Sequence, residues 1–250
     1  MTVTHHVGLF VAYLGALLAW LVLRSWSGQL WRPGPDPVFA SPRREVAWAL
    51  VAVAAVIGIG ILYSNGWLLP ATSRHRPMVD AVNQLLIYSP VPLLLVLRRQ
   101  GLETAWVPTQ RIVARVGVGV VLALLALFLY ALVRTDLLAW PELVAQTYQP
   151  RHVSYLVQVL LEDISIAVLF VRFRAAVGLR GTLLFVATLF AAAHIPGLLA
   201  NGAATRDLVA LFGDVGLGVL ALAVLYRSRD VWWFWMVHFA LDMTQFFRGP

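Results

Sequence analysis

The chain has 250 residues, of which 60% are apolar and 12% charged, with a net charge of +7 and a mean hydropathy of +0.79. A soluble domain carries about 25% charged residues, so the composition excludes an ordinary soluble fold and points to a polytopic helical membrane protein. Cysteine is absent, which also excludes disulfides, thiolate nucleophiles and Cys-ligated metal centres.

Eight apolar segments approach the ~20 residues a helix needs to cross the hydrocarbon core. They lie at about 7–24, 45–64, 79–97, 112–133, 153–171, 182–200, 207–226 and 231–247. The expected fold is therefore an all-α bundle of about eight transmembrane helices. The first segment begins with His5-His6, not with basic residues, and no small-residue cleavage site follows it closely, so it reads as a span and not a signal peptide. Pro33, Gly34, Pro35, Pro37 and Pro42 make the first loop a linker too short to hold a domain. Asn83, Gln84, Ser89, Pro90 and Pro92 interrupt the third segment, which predicts a broken or partly re-entrant helix. No internal repeat is visible, and 1–250 reads as one integral membrane domain.

All the positive charge is arginine, most of it at segment ends. Such residues mark topology and meet lipid headgroups, so the lipid bilayer is an expected partner and nucleic acid is not. Arg24, Arg32, Arg43, Arg44, Arg98, Arg99, Arg111, Arg172, Arg174, Arg180, Arg227 and Arg229 fall on odd loops. Arg74, Arg76, Arg134, Arg151, Arg206 and Arg248 fall on even loops or termini. The bias predicts cytoplasmic odd loops and both termini outside, in a cell (inner or plasma) membrane. Trp67, Trp106, Trp140, Trp232 and Trp233 sit near segment ends, as interfacial aromatics do.

Intramembrane charge is concentrated in the last four segments, and ionisable groups at that depth mark a functional site by default. In the fifth, Tyr155, Gln158, Glu162 and Ser165 share one helical face as a polar stripe. Asp163 lies about 100° away from Glu162, among apolar neighbours, and reads as structural. In the sixth, Phe190 and His194 are one turn apart, with Pro196 and Gly197 predicting a bend beside the imidazole. Asp214, among glycines of the seventh, reads equally as a cavity-lining group or as a bond to a neighbouring helix. In the eighth, His238, Asp242 and Gln245 share a face, and Asp242 can accept from the His238 ring and fix its tautomer, be protonated, or bind a metal.

Glu162-Asp163, Phe190-Ala-Ala-Ala-His194 and His238-Phe-Ala-Leu-Asp242, in that order on successive segments, resemble the CPBP group of intramembrane endopeptidases. That group includes the CAAX endopeptidases and bacteriocin-processing or immunity proteins. Its pattern is E-E-x-x-x-R, F-x-x-x-H and H-x-x-x-N or H-x-x-x-D. The resemblance covers 153–247, the expected catalytic core.

It implies an endopeptidase acting on a membrane-associated or lipidated peptide, without metal. Glu162, aided by His194, would activate water, and His238 would stabilise the oxyanion with Asp242 beside it. Asp163, Phe190, Ser165 and Asp214 are supporting residues. The chain departs from the pattern at Asp163 and at Ala167, where the family has Arg; Arg115 is expected to snorkel beside Arg111 instead of replacing that charge.

Two other classes fit the same residues. One is a non-catalytic immunity or scaffold protein of the same fold. The other is a haem or metal protein using His194 and His238, and Glu162, His194, His238 and Asp242 form a possible zinc set. Substrate identity and oligomeric state are left open by the sequence.

Overall fold

The computed structural model describes residues 3–26, 31, 36–70, 76–134, 137–193, 195 and 205–247, without the side chains of 3, 4, 193, 205–211 and 214. The helices are α1 (Val3–Trp26), α2 (Pro42–Ser64), α3 (Arg76–Tyr88), α4 (Pro90–Leu97), α5 (Ile112–Arg134), α6 (Trp140–Thr147), α7 (Val153–Ala193), α8 (Thr205–Ser228) and α9 (Val231–Met243). Short 3₁₀ turns join several of them, and no strand occurs among the described residues.

Among the described residues, three helices are long and apolar enough to cross a membrane: His5–Trp26, Pro42–Ser64 and Ile112–Arg134. The pair α3 and α4 makes a fourth if it counts as one span, bent by 42°. Pro90 is the first residue of α4. A proline there cannot donate its backbone nitrogen to the preceding turn, which accounts for the break.

The eight expected segments therefore do not appear as eight straight spanning helices. The fifth and sixth fall in α7, which is interrupted at Gly178 (φ 77°, ψ 175°). Phe173 and Phe185 would lie about 18 Å apart along a straight helix, yet their ring centroids are 4.7 Å apart. The chain thus folds back at Gly178, in a left-handed conformation that glycine adopts without a Cβ clash. The last segment is also shorter than expected, since α9 ends at Met243 and continues only as the 3₁₀ turn Thr244–Phe246.

Polar contacts gather the loops at one end of the bundle. Asp36, in the first loop, accepts from Arg174 at 2.5 Å and pairs with Arg229 at 2.6 Å. Glu45 accepts from Arg98 at 2.6 Å and Gln100 at 2.8 Å, while the fully buried Arg172 donates to Gln100 and to the Val168 carbonyl. Arg24 donates to the Arg227 carbonyl at 3.2 Å, which ties α1 to α8 at the same end.

The Arg174 hydrogen bond holds the Asp36 carboxyl below its ordinary range. A depressed carboxyl stabilises the fold above its unfolded pKa of about 4 and loses that contribution as pH falls through the folded value. Asp36→Asn is accordingly expected to lower the melting temperature at pH 7, and by progressively less as the pH is taken below about 4, as read by thermal unfolding in detergent.

The expectation that Arg115 snorkels is corrected. It is buried, ion-pairs with Asp230, and donates from Nε to the Gln110 carbonyl at 2.9 Å. Asp230 in turn caps α9 by accepting from the Trp232 backbone N–H at 3.0 Å. The buried carboxylate gives the arginine a closer partner than the interface does.

That joint sits above a tight seam between α5 and α9. A Cβ added to Gly119 would stand 2.7 Å from the Trp233 Cα and 2.8 Å from its carbonyl oxygen. Both are backbone atoms, so no rotamer change relieves the clash, and a small residue is what lets the helices approach. Trp233 is stacked on Trp20 of α1 at 5.5 Å, extending the seam to a third helix. Overpacking a dense interior costs about 1–3 kcal/mol, and more where the backbone must move. Gly119→Leu is therefore expected to lower the melting temperature and the yield of monodisperse protein.

Candidate functional site

The seam fixes α9 so that one side of it faces a cavity of about 490 Å³ bordered by α1, α7 and α8. Tyr155, Gln158, Glu162 and Asp163 reach it from the first arm of α7, and Phe190 from the second. His238, Asp242 and Gln245 line it from α9 and the turn beyond, and His5, His6 and Tyr13 from α1. Leu217, Gly218, Ala221, Leu222 and Leu225 of α8 supply an apolar wall. A concave, mostly apolar site with a few converging polar groups is the usual form of a small-ligand or substrate site.

Glu162 is oriented by two donors on one oxygen. Gln158 Nε2, one turn earlier on α7, donates to Oε1 at 2.8 Å, and Tyr88 Oη, at the end of α3, donates to the same atom at 2.9 Å. No hydrogen bond to Oε2 is found among the described residues.

Asp163 is fully buried, and its Oδ1 accepts from His238 Nδ1 at 2.8 Å. Its Oδ2 has no hydrogen-bond partner among the described residues. A histidine whose Nδ1–H is given to a carboxylate has a fixed ring orientation and keeps Nε2 for another partner. The ring of Phe234 stands 5.7 Å from the imidazole and that of Phe190 6.3 Å, packing it from two sides.

The carboxylate that orients His238 is thus Asp163 and not Asp242. Spacing along α9 makes Asp242 available, but the inter-helix contact with α7 places a closer acceptor on Nδ1. Asp242 instead accepts from Gln245 at 3.2 Å and lines the cavity. Asp163, expected to stand among apolar neighbours, belongs to the site.

Ser165 does not line the cavity. Its hydroxyl donates back to the Leu161 carbonyl at 2.7 Å, as serines inside helices commonly do. The polar stripe therefore consists of Tyr155, Gln158 and Glu162.

His194, with Pro196 and Gly197, lies outside the described residues, as does the side chain of Asp214. Among the described residues no group of three or more His, Asp and Glu is arranged to hold a metal ion.

Comparison with protein-family models, curated proteins and solved structures finds no match. The functional reading rests on the site itself.

The first four segments, which lie outside the resemblance, contribute His5, His6 and Tyr13 to the cavity and Tyr88 to Glu162. His5 Nδ1 lies 2.8 Å from Tyr130 Oη, which anchors the N-terminal part of α1 on α5. The Tyr13 ring is stacked on Phe234 at 6.5 Å. Tyr88 carried one local signal, a polar-tipped aromatic immediately before the Ser89-Pro90 break.

Proposed function

We propose that the protein is an intramembrane endopeptidase of CPBP type, hydrolysing a peptide bond of a membrane-associated or lipidated peptide. One observation carries the reading: a carboxylate held by two donors and a histidine held by a buried carboxylate line the same cavity between helices. The motif residues Glu162, Asp163, Phe190, His238 and Asp242 all border that cavity.

The chemistry follows from these atoms. Glu162 takes a proton from a water at Oε2 while the water oxygen adds to the scissile carbonyl carbon, and the carbonyl π pair moves to its oxygen. An oxyanion donor must carry a proton on Nε2. With Nδ1–H given to Asp163, that form of His238 is the imidazolium, and Asp163 supplies the counter-charge in a site of low dielectric. When the tetrahedral carbon collapses, the C–N bond breaks and the leaving nitrogen takes the proton from Glu162. The family pattern pairs its second acid with an Arg four residues on; here that position is the fully buried Ala167, and the acid serves His238 instead.

The topology belongs to the same proposal. Counting α1, α2, the bent pair α3–α4, α5, the two arms of α7, α8 and α9 gives eight passes, with the Asp36 and Glu45 clusters on the cytoplasmic side of the cell membrane. The arginine bias supports that orientation.

Incubating membranes from expressing cells in ¹⁸O-water tests the reaction. Peptides cut by the protein carry one ¹⁸O in each new C-terminal carboxylate, and they disappear in His238→Ala at matched protein level. Equal labelled sets in both samples would favour a non-catalytic, partner-binding role for the same cavity.

A further inference from the structure

The position of Tyr88 is built by polar contacts among α2, α3 and the segment between them. Asn83, fully buried in α3, donates to the Leu69 carbonyl and accepts from the Leu69 N–H, each at 3.1 Å. Tyr63 of α2 donates to Asp80 at 3.1 Å. These bonds set the register of α3 against α2 and the segment after it, and the 42° break then makes Tyr88 the last residue of α3. Its hydroxyl meets Glu162 Oε1, already bonded to Gln158, from a helix 74 residues away in sequence.

The terminal torsion of a glutamate is broad and roughly two-fold, so an unrestrained carboxylate samples many orientations. Two donors from different directions on one oxygen remove that freedom. They also saturate Oε1 and leave Oε2 as the oxygen available to a water.

We propose that Tyr88 is a positioning residue for the general base: together with Gln158 it locks the Glu162 carboxylate so that the proton of water is taken at Oε2. Its consequence for rate rests on the peptidase reading above; its action on Glu162 does not. The bland account of the same contact is a half-buried tyrosine hydroxyl meeting the nearest acceptor, as such groups usually do. The two accounts differ in what removal of the oxygen does to Glu162.

The test uses the full chain in native membranes as the intact protein, Tyr88→Phe and Glu162→Gln. Dicyclohexylcarbodiimide, an apolar reagent for membrane carboxyls, is the probe, and the modified Glu162 peptide is quantified by mass spectrometry. Formation of ¹⁸O-labelled termini is followed in parallel, and thermal unfolding checks the fold. Tyr88→Phe is expected to melt as the intact protein does and to label at Glu162 several-fold faster. It should form termini about 10- to 100-fold more slowly, the loss expected when a catalytic group is misplaced by up to about 1 Å.

Unchanged labelling of Glu162 overturns the proposal. So does an unchanged cleavage rate in Tyr88→Phe when Glu162→Gln has lost cleavage. If Glu162→Gln forms the same termini as the intact protein, the peptidase reading falls, and the labelling alone then decides whether Tyr88 restrains Glu162.

Discussion

Glu162→Gln is expected to lose cleavage by about 10²- to 10⁴-fold, the range that general acid–base groups contribute, while the protein folds and accumulates as before. The amide is isosteric with the carboxylate, and its carbonyl oxygen still accepts from Tyr88 and Gln158, the two donors that hold Glu162 Oε1. What it loses is the ability to take a proton from water. A lost rate with an unchanged melting temperature assigns the residue to chemistry. Loss of both would show that the carboxylate holds the fold.

The second large effect concerns the pair on α7 and α9. Asp163→Asn keeps the volume of a fully buried side chain but replaces the acceptor on His238 Nδ1 with a group that also donates. The ring then loses the counter-charge for its imidazolium form and its preferred tautomer. A fall of about 10²- to 10³-fold in rate is expected, similar to removing an oxyanion-hole donor.

His238→Ala is expected to fall as far, and the double variant no further than either single one, because residues that act as a unit are not additive. A stability cost of about 1–3 kcal/mol accompanies His238→Ala, which leaves a buried carboxylate oxygen without its donor. Rates of terminus formation and melting temperatures for the three variants check both statements. Additive losses would separate the two residues and remove the dyad.

Hydropathy and spacing made some of this legible and not the rest, for physical reasons that differ by residue. Apolar segment length identified α1, α2 and α5 because burial in lipid requires an apolar surface along a whole helix. Ser89 and Pro90 announced the break between α3 and α4, since the effect of proline on a helix is local. Helical periodicity put Gln158 one turn from Glu162, and the hydrogen bond between them is that same proximity.

The inter-helix partners followed a different rule. Periodicity says which residues share a face of one helix and nothing about what the facing helix brings. Spacing along one helix thus offered Asp242 to His238, whereas Asp163, 75 residues earlier, occupies Nδ1. Arg115 was expected at the interface, with Asp230 invisible to it 115 residues away. Asn83 read as an interruption of an apolar run and Tyr88 went unremarked within it, whereas Asn83 clamps the backbone of Leu69 and Tyr88 holds Glu162. Ser165 failed for the opposite reason: it has the right periodicity, and its hydroxyl turns back to its own helix.

The central claim is that Glu162 drives cleavage of a peptide bond inside this cavity. Its most direct test compares the membrane and secreted peptide termini of cells expressing the intact protein with those of cells expressing Glu162→Gln at the same level. The account predicts a defined set of termini present with the intact protein and missing with Glu162→Gln. Identical profiles from the two would contradict it and leave the cavity as a binding site.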